Sequence, residues 1–345
     1  MSQGSHIRLL GALSRAEDAL SRADEALSGV VGDGVIARLA YQDACALAWN
    51  QGELVHLEDL VLRDEDLDVR MPDPALLLAG RQLRTARLPL PPKAIAFSLV
   101  SVKALLPRRA GGALGLTSRS ATAAPDLDVE ALGTSSLGES GDGLDLAQIL
   151  AAAGAVQSDD DKAALEAWIA LCRGLAPDWP PLLRAACALE FWAVIDPLPR
   201  YPYIGALLVG WELRLSGRLR RHRPWIALGQ RKQAARGELR RASDTATRRV
   251  CYWLGVLATS GEVALDEVER LGLVRQVLAR KLVGRRSTSR LADLVALLIE
   301  CPVVTAGSVA ARLRVTQQAA RVLVRELGPS VAEITGRTRY RAWRV

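Results

Sequence analysis

The sequence predicts a mainly α-helical protein whose strands are confined to its C-terminal end. Three observations carry this. Apolar residues recur at three- and four-residue spacing along most of the 345 residues. The stretch from Leu182 to Leu215 is apolar on nearly every face, with Arg184 and Glu190 the only charges in its first half, so it reads as two buried helices. The clear period-two alternation falls in EITGRTRYRAWRV, from Glu333 to Val345.

Composition bounds the answer. Hydrophobic residues make up 50% of the chain and charged residues 24%, which is a globular balance with enough length for two cores. The start, MSQGSHIRLLGAL, lacks the charged-then-apolar block of a signal peptide, so the cytoplasm is expected. The apolar runs are too short and interrupted to cross a bilayer, so no membrane is expected. Cys45, Cys172, Cys187, Cys251 and Cys301 are scattered through apolar runs and read as buried free thiols. His6, His56 and His222 are equally dispersed, so no metal site and no cofactor are expected. The net charge of +7, with its arginine excess in the C-terminal half, is compatible with a nucleic-acid partner.

Taken in order, residues 6–28 form an amphipathic helix, with Ile7, Leu10, Leu13, Ala16, Leu20 and Leu27 on its apolar side. The run Val30 to Ala37 contains G-x-G-x-x-A, but a helix precedes it and no strand follows, so it reads as a glycine turn. Residues 38–62 are a second helical unit, broken near Gly52. His56, Glu58 and Asp59 lie close in sequence and read as a solvated face. A short helix covers 75–86. Residues 107–145 are rich in Gly, Ser, Thr and Ala with no aromatic residue, the composition of a flexible linker. Gly133 to Gly138 lacks the spacing of a hydrolase elbow.

Helices at 146–153 and 160–175 lead into the hairpin, with Asp159 or Asp160 as cap. Three prolines within Asp196 to Pro202 make the loop between its two helices. After Leu215 the chain turns basic, with Arg218, Arg220, Arg221, Arg223, Arg231, Lys232, Arg236, Arg240 and Arg241. These side chains suit either phosphates or an ordinary solvated face. Helices at 248–259 and 263–283 follow.

The C-terminal stretch carries the functional signal. Leu291, Leu294, Val295 and Leu298 line one face of a helix that Pro302 stops. Thr305 caps a short helix, Arg314 and Val315 make a turn, and Thr316 caps a second helix. The buried face of that second helix is Ala319, Ala320, Leu323, Val324 and Leu327. This is the pattern of a helix-turn-helix, and the alternating segment after it is the β-hairpin of a wing. Gln317, Gln318 and Arg321 are residue types that read base edges in the major groove. Arg325, Arg337 and Arg339 suit the phosphate backbone, and Thr316 sets the start of the reading helix.

The central hairpin also resembles the Fic family, which transfers nucleotide monophosphates to protein hydroxyls from a loop between two buried helices. The family motif is H-P-F-x-x-G-N-G-R-x-x-R. In this chain its histidine falls on Asp196, its proline on Pro197, its asparagine on Pro202 and its two arginines on Ile204 and Leu207. A second Fic element, S/T-x-x-x-E-G followed by L-E-D-L, aligns with Leu47, Gln51 and Gly52 and then Leu57 to Leu60. The inhibitory glutamate of that element is Gln51, and the arginine it would pair with is Leu207. The whole chain further resembles a family from rhizobia and related bacteria that joins a Fic-derived domain of unknown function to a C-terminal helix-turn-helix.

The expected layout is therefore residues 1–106 as the N-terminal helical part of a Fic-like domain and 107–145 as linker. The degenerate Fic-like core covers 146–288 and a winged helix-turn-helix 289–345. The function implied is a transcriptional regulator that binds double-stranded DNA as a homodimer and whose Fic-like body has lost its chemistry. No catalytic residue is assigned. Two alternatives are a divergent nucleotidyl or phosphoryl transferase and a protein-interaction scaffold. Phosphoryl transfer rests on charge stabilisation, and the residues that would supply it are absent from the motif positions.

Overall fold

The structure, a computed structural model, describes residues 3–65, 71–89, 96–106, 146–156, 160–283, 290–334 and 341–345. The linker expected at 107–145 lies outside the described residues, as do Arg337 and Arg339. The described part is mainly helical, with one small sheet. Contacts divide the chain into two units, each formed from two separate segments. The first comprises Met1–Ser21 with Arg87–Ser260, and the second Arg22–Ala86 with Gly261–Val345. Two of the three boundaries fall inside long helices, α1 (Gln3–Ala26) and α11 (Ala246–Arg280), and the third falls after Ala86.

The first unit is built on α8 (Pro181–Ile195) and α9 (Ile204–Leu215), the predicted hairpin. Pro181 opens α8, where its missing N–H costs nothing. The helix ends at Asp196, in the left-handed conformation at φ 46°. The two helices approach closely at Gly205, where an added Cβ would lie 2.2 Å from the Trp192 ring. Arg184 and Glu212 join them by a 2.7 Å ion pair.

Around this hairpin pack α5 (Leu99–Leu105), α6 (Leu146–Gly154) and α7 (Asp161–Gly174), while α10 (Ile226–Ala235) lies against α11, where Gly229 meets Val256 and the Gln233 amide donates to the Thr259 hydroxyl at 2.8 Å. Asp160 caps α7 by accepting a bond from the Lys162 amide. From α7, the Trp168 indole donates to the Ala188 carbonyl at 3.0 Å and packs edge-on against Trp192 and Phe97. Helix α5 escaped the sequence reading because seven residues are too few to show a period.

A charged cluster lies inside this apolar unit. Glu190 is wholly buried. Its carboxylate accepts two bonds from Arg240, at 2.6 and 2.9 Å, and one from the Trp253 indole at 2.9 Å. Arg249 lies 3.3 Å away. The cluster ties α8 to the segment after α10 and to the start of α11.

The second unit contains α2 (Gly32–Asn50), α3 (Leu57–Asp64), α4 (Pro74–Ala86), α12 (Leu291–Glu300), α13 (Ala306–Leu313) and α14 (Gln317–Glu326). Its strands are β1 (Val304–Thr305), β2 (Ala332–Glu333) and β3 (Ala342–Arg344), in the order β1-β3-β2, all antiparallel. Val304 pairs with Trp343, and Ala332 with Arg344.

Residues far apart in sequence share one core here. Tyr41, Ala44, Cys45 and Ala48 of α2 lie with Leu60, Val61, Leu76, Ala79 and Leu83 of the next two helices. Val303 and Ala342 complete the same cluster. The G-x-G-x-x-A run finds its explanation in helix packing. A Cβ at Gly32 would sit 1.8 Å from the Leu27 carbonyl oxygen, and one at Gly34 would sit 2.0 Å from that of Ile299.

One turn beyond Gly34, the buried Arg38 guanidinium takes up the C-terminal carbonyls of α12. It donates to Leu298 and Ile299 at 2.6 Å each and to Cys301 at 2.8 Å. It also donates to Gly34 of its own helix at 3.0 Å. A cation suits the negative end of a helix. Burial, opposed in part by Glu267, pushes the Arg38 pKa down to about 10.

Three expectations need correction. The helices foreseen at 248–259 and 263–283 are one helix, α11, which runs through the buried Gly261. A helix-interior glycine costs only about 1 kcal/mol, which packing overrides. Strands are not confined to the wing, because β1 precedes α13 and pairs with β3. A two-residue strand has no alternation to read. The thiols are all free, but Cys251 and Cys301 are half-buried rather than buried.

Candidate nucleic-acid interface

The candidate site is built on α14, held by its helix ends. Thr305 and Ser308 form a reciprocal cap at the start of α13. The Thr305 hydroxyl accepts from the Ser308 amide at 3.0 Å, and the Ser308 hydroxyl from the Thr305 amide at 2.8 Å. Helix α13 ends at Arg314, a non-glycine residue at φ 54°. This left-handed residue turns the chain, and the Val315 amide bonds back to Ala310 at 3.0 Å. Thr316 then starts α14, its hydroxyl accepting from the Ala319 amide at 3.1 Å.

One side of α14 packs inward through Ala320, Val324 and Leu327, against a core that includes Val309, Leu313, Leu294 and Leu298. Ala319 and Leu323, expected on the buried face, are half-buried, as is Val315 in the turn. They sit at the edge of the stripe, because the contact face of an eight-residue partner helix is narrow.

The other side carries the predicted reading residues. Thr316, Gln317, Gln318 and Arg325 are exposed. Gln317, Gln318, Arg321 and Arg325 are related by steps of three and four, so they share a side of the helix. Arg321 is half-buried, and its Nε is buried without a hydrogen bond in the described structure. A helix with amides and arginine presented together offers both bidentate base-edge donors and a phosphate contact.

Strands β2 and β3 pair antiparallel. Arg341 pairs with Glu333 at 3.5 Å, and Arg344 pairs with Glu58 of α3 at 3.2 Å. Of His56, Glu58 and Asp59, which read in sequence as a solvated face, Glu58 is engaged by that arginine. Among the described residues, no group of histidine, cysteine and carboxylate side chains is placed to hold a metal ion.

In the first unit the resemblance loop is placed as follows. Asp196 is exposed at the end of α8, Pro197 is buried and Pro202 half-buried. Ile204 and Leu207 are buried on the first turn of α9. The five span the end of α8, the loop and the first turn of α9, and the two positions aligned with phosphate-binding arginines carry buried aliphatic side chains. Of the basic run after Leu215, Arg218 pairs with Glu17 and bonds Ser21 at 2.8 Å, while Arg240 is committed to Glu190. Arg220, Arg221, Arg231, Lys232 and Arg241 are exposed.

Sequence reasoning missed Arg38 and Glu190 as organising residues. The signal for Glu190 was present, as a carboxylate in a stretch otherwise apolar on all faces. Arg38 gave no signal, because its partners outside its own helix are the carbonyls of Leu298, Ile299 and Cys301, 260, 261 and 263 residues away.

Comparison with known proteins is consistent with this geometry. Residues 291–345 match the family described as "HTH DNA binding domain". Residues 157–283 match one described as "Protein of unknown function (DUF1612)". The chain is 36% identical over 351 aligned residues to a Sinorhizobium fredii (strain NBRC 101917 / NGR234) protein described as "Uncharacterized protein y4cF". The alignment covers 91% of this chain and 90% of that one. Among the described residues, no helix is long and apolar enough to cross a membrane.

Proposed function

Since the chain belongs to the family of the Sinorhizobium protein y4cF and ends in a helix-turn-helix DNA-binding domain, we propose that it is a sequence-specific regulator of transcription. It would act in the cytoplasm as a homodimer on two half-sites of double-stranded DNA. The observation that carries this is the exposed side of α14, where Gln317 and Gln318 follow the Thr316 cap and Arg321 and Arg325 follow at helical spacing. The first unit then serves as a non-enzymatic, Fic-derived body. What supports that part is the content of the loop. Ile204 and Leu207 are buried aliphatic residues, which cannot donate to a phosphate, and Asp196 stands where the Fic motif has its histidine.

The reading is tested by selecting fragments from random duplex DNA with the full chain at low salt. A recurring motif is expected. Arg321→Ala should weaken binding to that motif by about 1–3 kcal/mol and relax preference at one base position. Arg325→Ala should weaken all duplexes alike and lower the salt slope by about one phosphate. No affinity for any duplex at low salt would remove the proposal. Incorporation of labelled nucleotide that Asp196→Ala abolishes would remove its non-enzymatic part.

A further inference from the structure

The second half of α11 carries a stripe that the other described residues leave exposed. Asp266, Glu269, Leu273, Gln276, Val277 and Arg280 are all exposed. They follow one another by steps of three, four and one, which keeps them within one side of a helix. Leu273 is 56% exposed and Val277 46%. Single exposed aliphatic residues are ordinary on a protein surface. What distinguishes this pair is the order of charge around it, because the stripe is acidic towards its N-terminal end, apolar in its middle and basic at its C-terminal end. The inward side is accounted for by Ala264, Leu271 and Leu278, which are fully buried, and by Glu267, which binds Arg270 at 2.7 and 2.8 Å.

Such a stripe is complementary to itself when reversed. We propose that it is a homodimer interface in which two copies of α11 pack antiparallel about a two-fold axis at Leu273. Leu273 then meets Leu273 of the second copy, and Val277 lies across from the aliphatic stem of Glu269. Asp266 faces Arg280 of the second copy, and the two-fold axis repeats that pair. A parallel arrangement would set Asp266 against Asp266 and Arg280 against Arg280, like charges at contact distance. The charge order therefore selects one orientation and one occupant, a second copy of this chain. The stripe ends at Arg280 and the helix-turn-helix begins with α12 at Leu291, so the interface would also set the spacing of the two reading helices. The inference rests on the homodimer of the proposed function and gives it a surface.

The test uses the full chain and two surface variants, Asp266→Arg and Arg280→Glu, with the mass in solution read by sedimentation or light scattering. The wild type is expected to be dimeric. Each variant alone should dissociate about tenfold more readily, the size expected when two exposed attractive pairs become repulsive. An equimolar mixture of the two variants should dimerise as the wild type does, since only the mixture brings opposite charges together at both contacts. Unchanged circular dichroism separates this from misfolding. A monomeric wild type, single variants as dimeric as the wild type, or a mixture that stays monomeric would each overturn the interface. If dimerisation and its rescue hold while no duplex is bound, the interface stands and the DNA reading fails.

Discussion

Replacing Arg38 by methionine keeps the volume of the side chain but removes the guanidinium from the end of α12. Four carbonyl oxygens lose a donor: Gly34 at 3.0 Å, Leu298 and Ile299 at 2.6 Å, and Cys301 at 2.8 Å. Each bond from a charged donor contributes about 1.5–3 kcal/mol. Against their sum stands the cost of keeping a cation out of water, seen in its lowered pKa. That cost is several kcal/mol. The carbonyls stay buried after the substitution, so the loss does not cancel, and a net destabilisation of about 3–5 kcal/mol is expected. In a unit of this size that corresponds to a melting temperature lower by roughly 10 °C. The assay is urea and thermal unfolding of the full chain followed by circular dichroism. Arg312→Met serves as reference, because Arg312 is exposed and its 2.8 Å pair with Glu300 should contribute less than about 1 kcal/mol. If Arg38→Met changed stability no more than Arg312→Met does, the argument that this guanidinium fastens α2 to the helix-turn-helix would be refuted.

Three further outcomes are expected. Glu190→Gln leaves Arg240 and Arg249 beside a buried neutral amide, and should destabilise the first unit by about 3–5 kcal/mol; unfolding at wild-type urea concentration would show that the cluster is dispensable. Gly205→Ala places a methyl 2.2 Å from Trp192 and should cost about 1–3 kcal/mol, whereas Gly307→Ala, 3.7 Å from the nearest atom, should be neutral or mildly stabilising; equal melting temperatures would contradict the close approach of α8 and α9. Burial, with the Glu190 carboxylate second, pushes the Cys187 thiol up to about 12. The folded pKa exceeds the unfolded one, so the unfolded chain loses its proton first. The thiol's stabilising contribution is complete below about pH 8.5 and falls as pH rises towards 12, at up to ~1.4 kcal/mol per pH unit. The same alkaline slope in Cys187→Ala would exclude this thiol as the source.

Local signals carried much of the fold. Thr305 and Thr316 were legible as caps because a hydroxyl before an apolar helical run has few other uses, and the three prolines from Asp196 to Pro202 marked the hairpin loop. The exposure of Gln317, Gln318 and Arg325 on α14 followed from subtraction, once Ala320, Val324 and Leu327 were assigned inward. Tertiary matters were hidden. Gly34 reads as a turn residue in sequence, yet its lack of a Cβ is required by the Ile299 carbonyl. Gly261 reads as a break, yet α11 passes through it. The pairing of β1 with β3 joins Val304 to Trp343 across intervening helices, and nothing within two residues announces that.

The core that α2, α3 and α4 share with Val303 and Ala342 has a consequence for how the protein is made. A ribosome releases Tyr41 and its neighbours long before the residues that complete their packing. Such long-range closure slows folding and leaves apolar surface waiting for its counterpart. The early helices must therefore persist half-clothed, or be sheltered by a chaperone, until translation has passed Ala342. A message cut short before that codon would yield a chain with an open apolar wound, marked for proteolysis. The DNA-binding domain, to which Val303 and Ala342 bring that core, is thereby assembled only after Ala342 has left the ribosome.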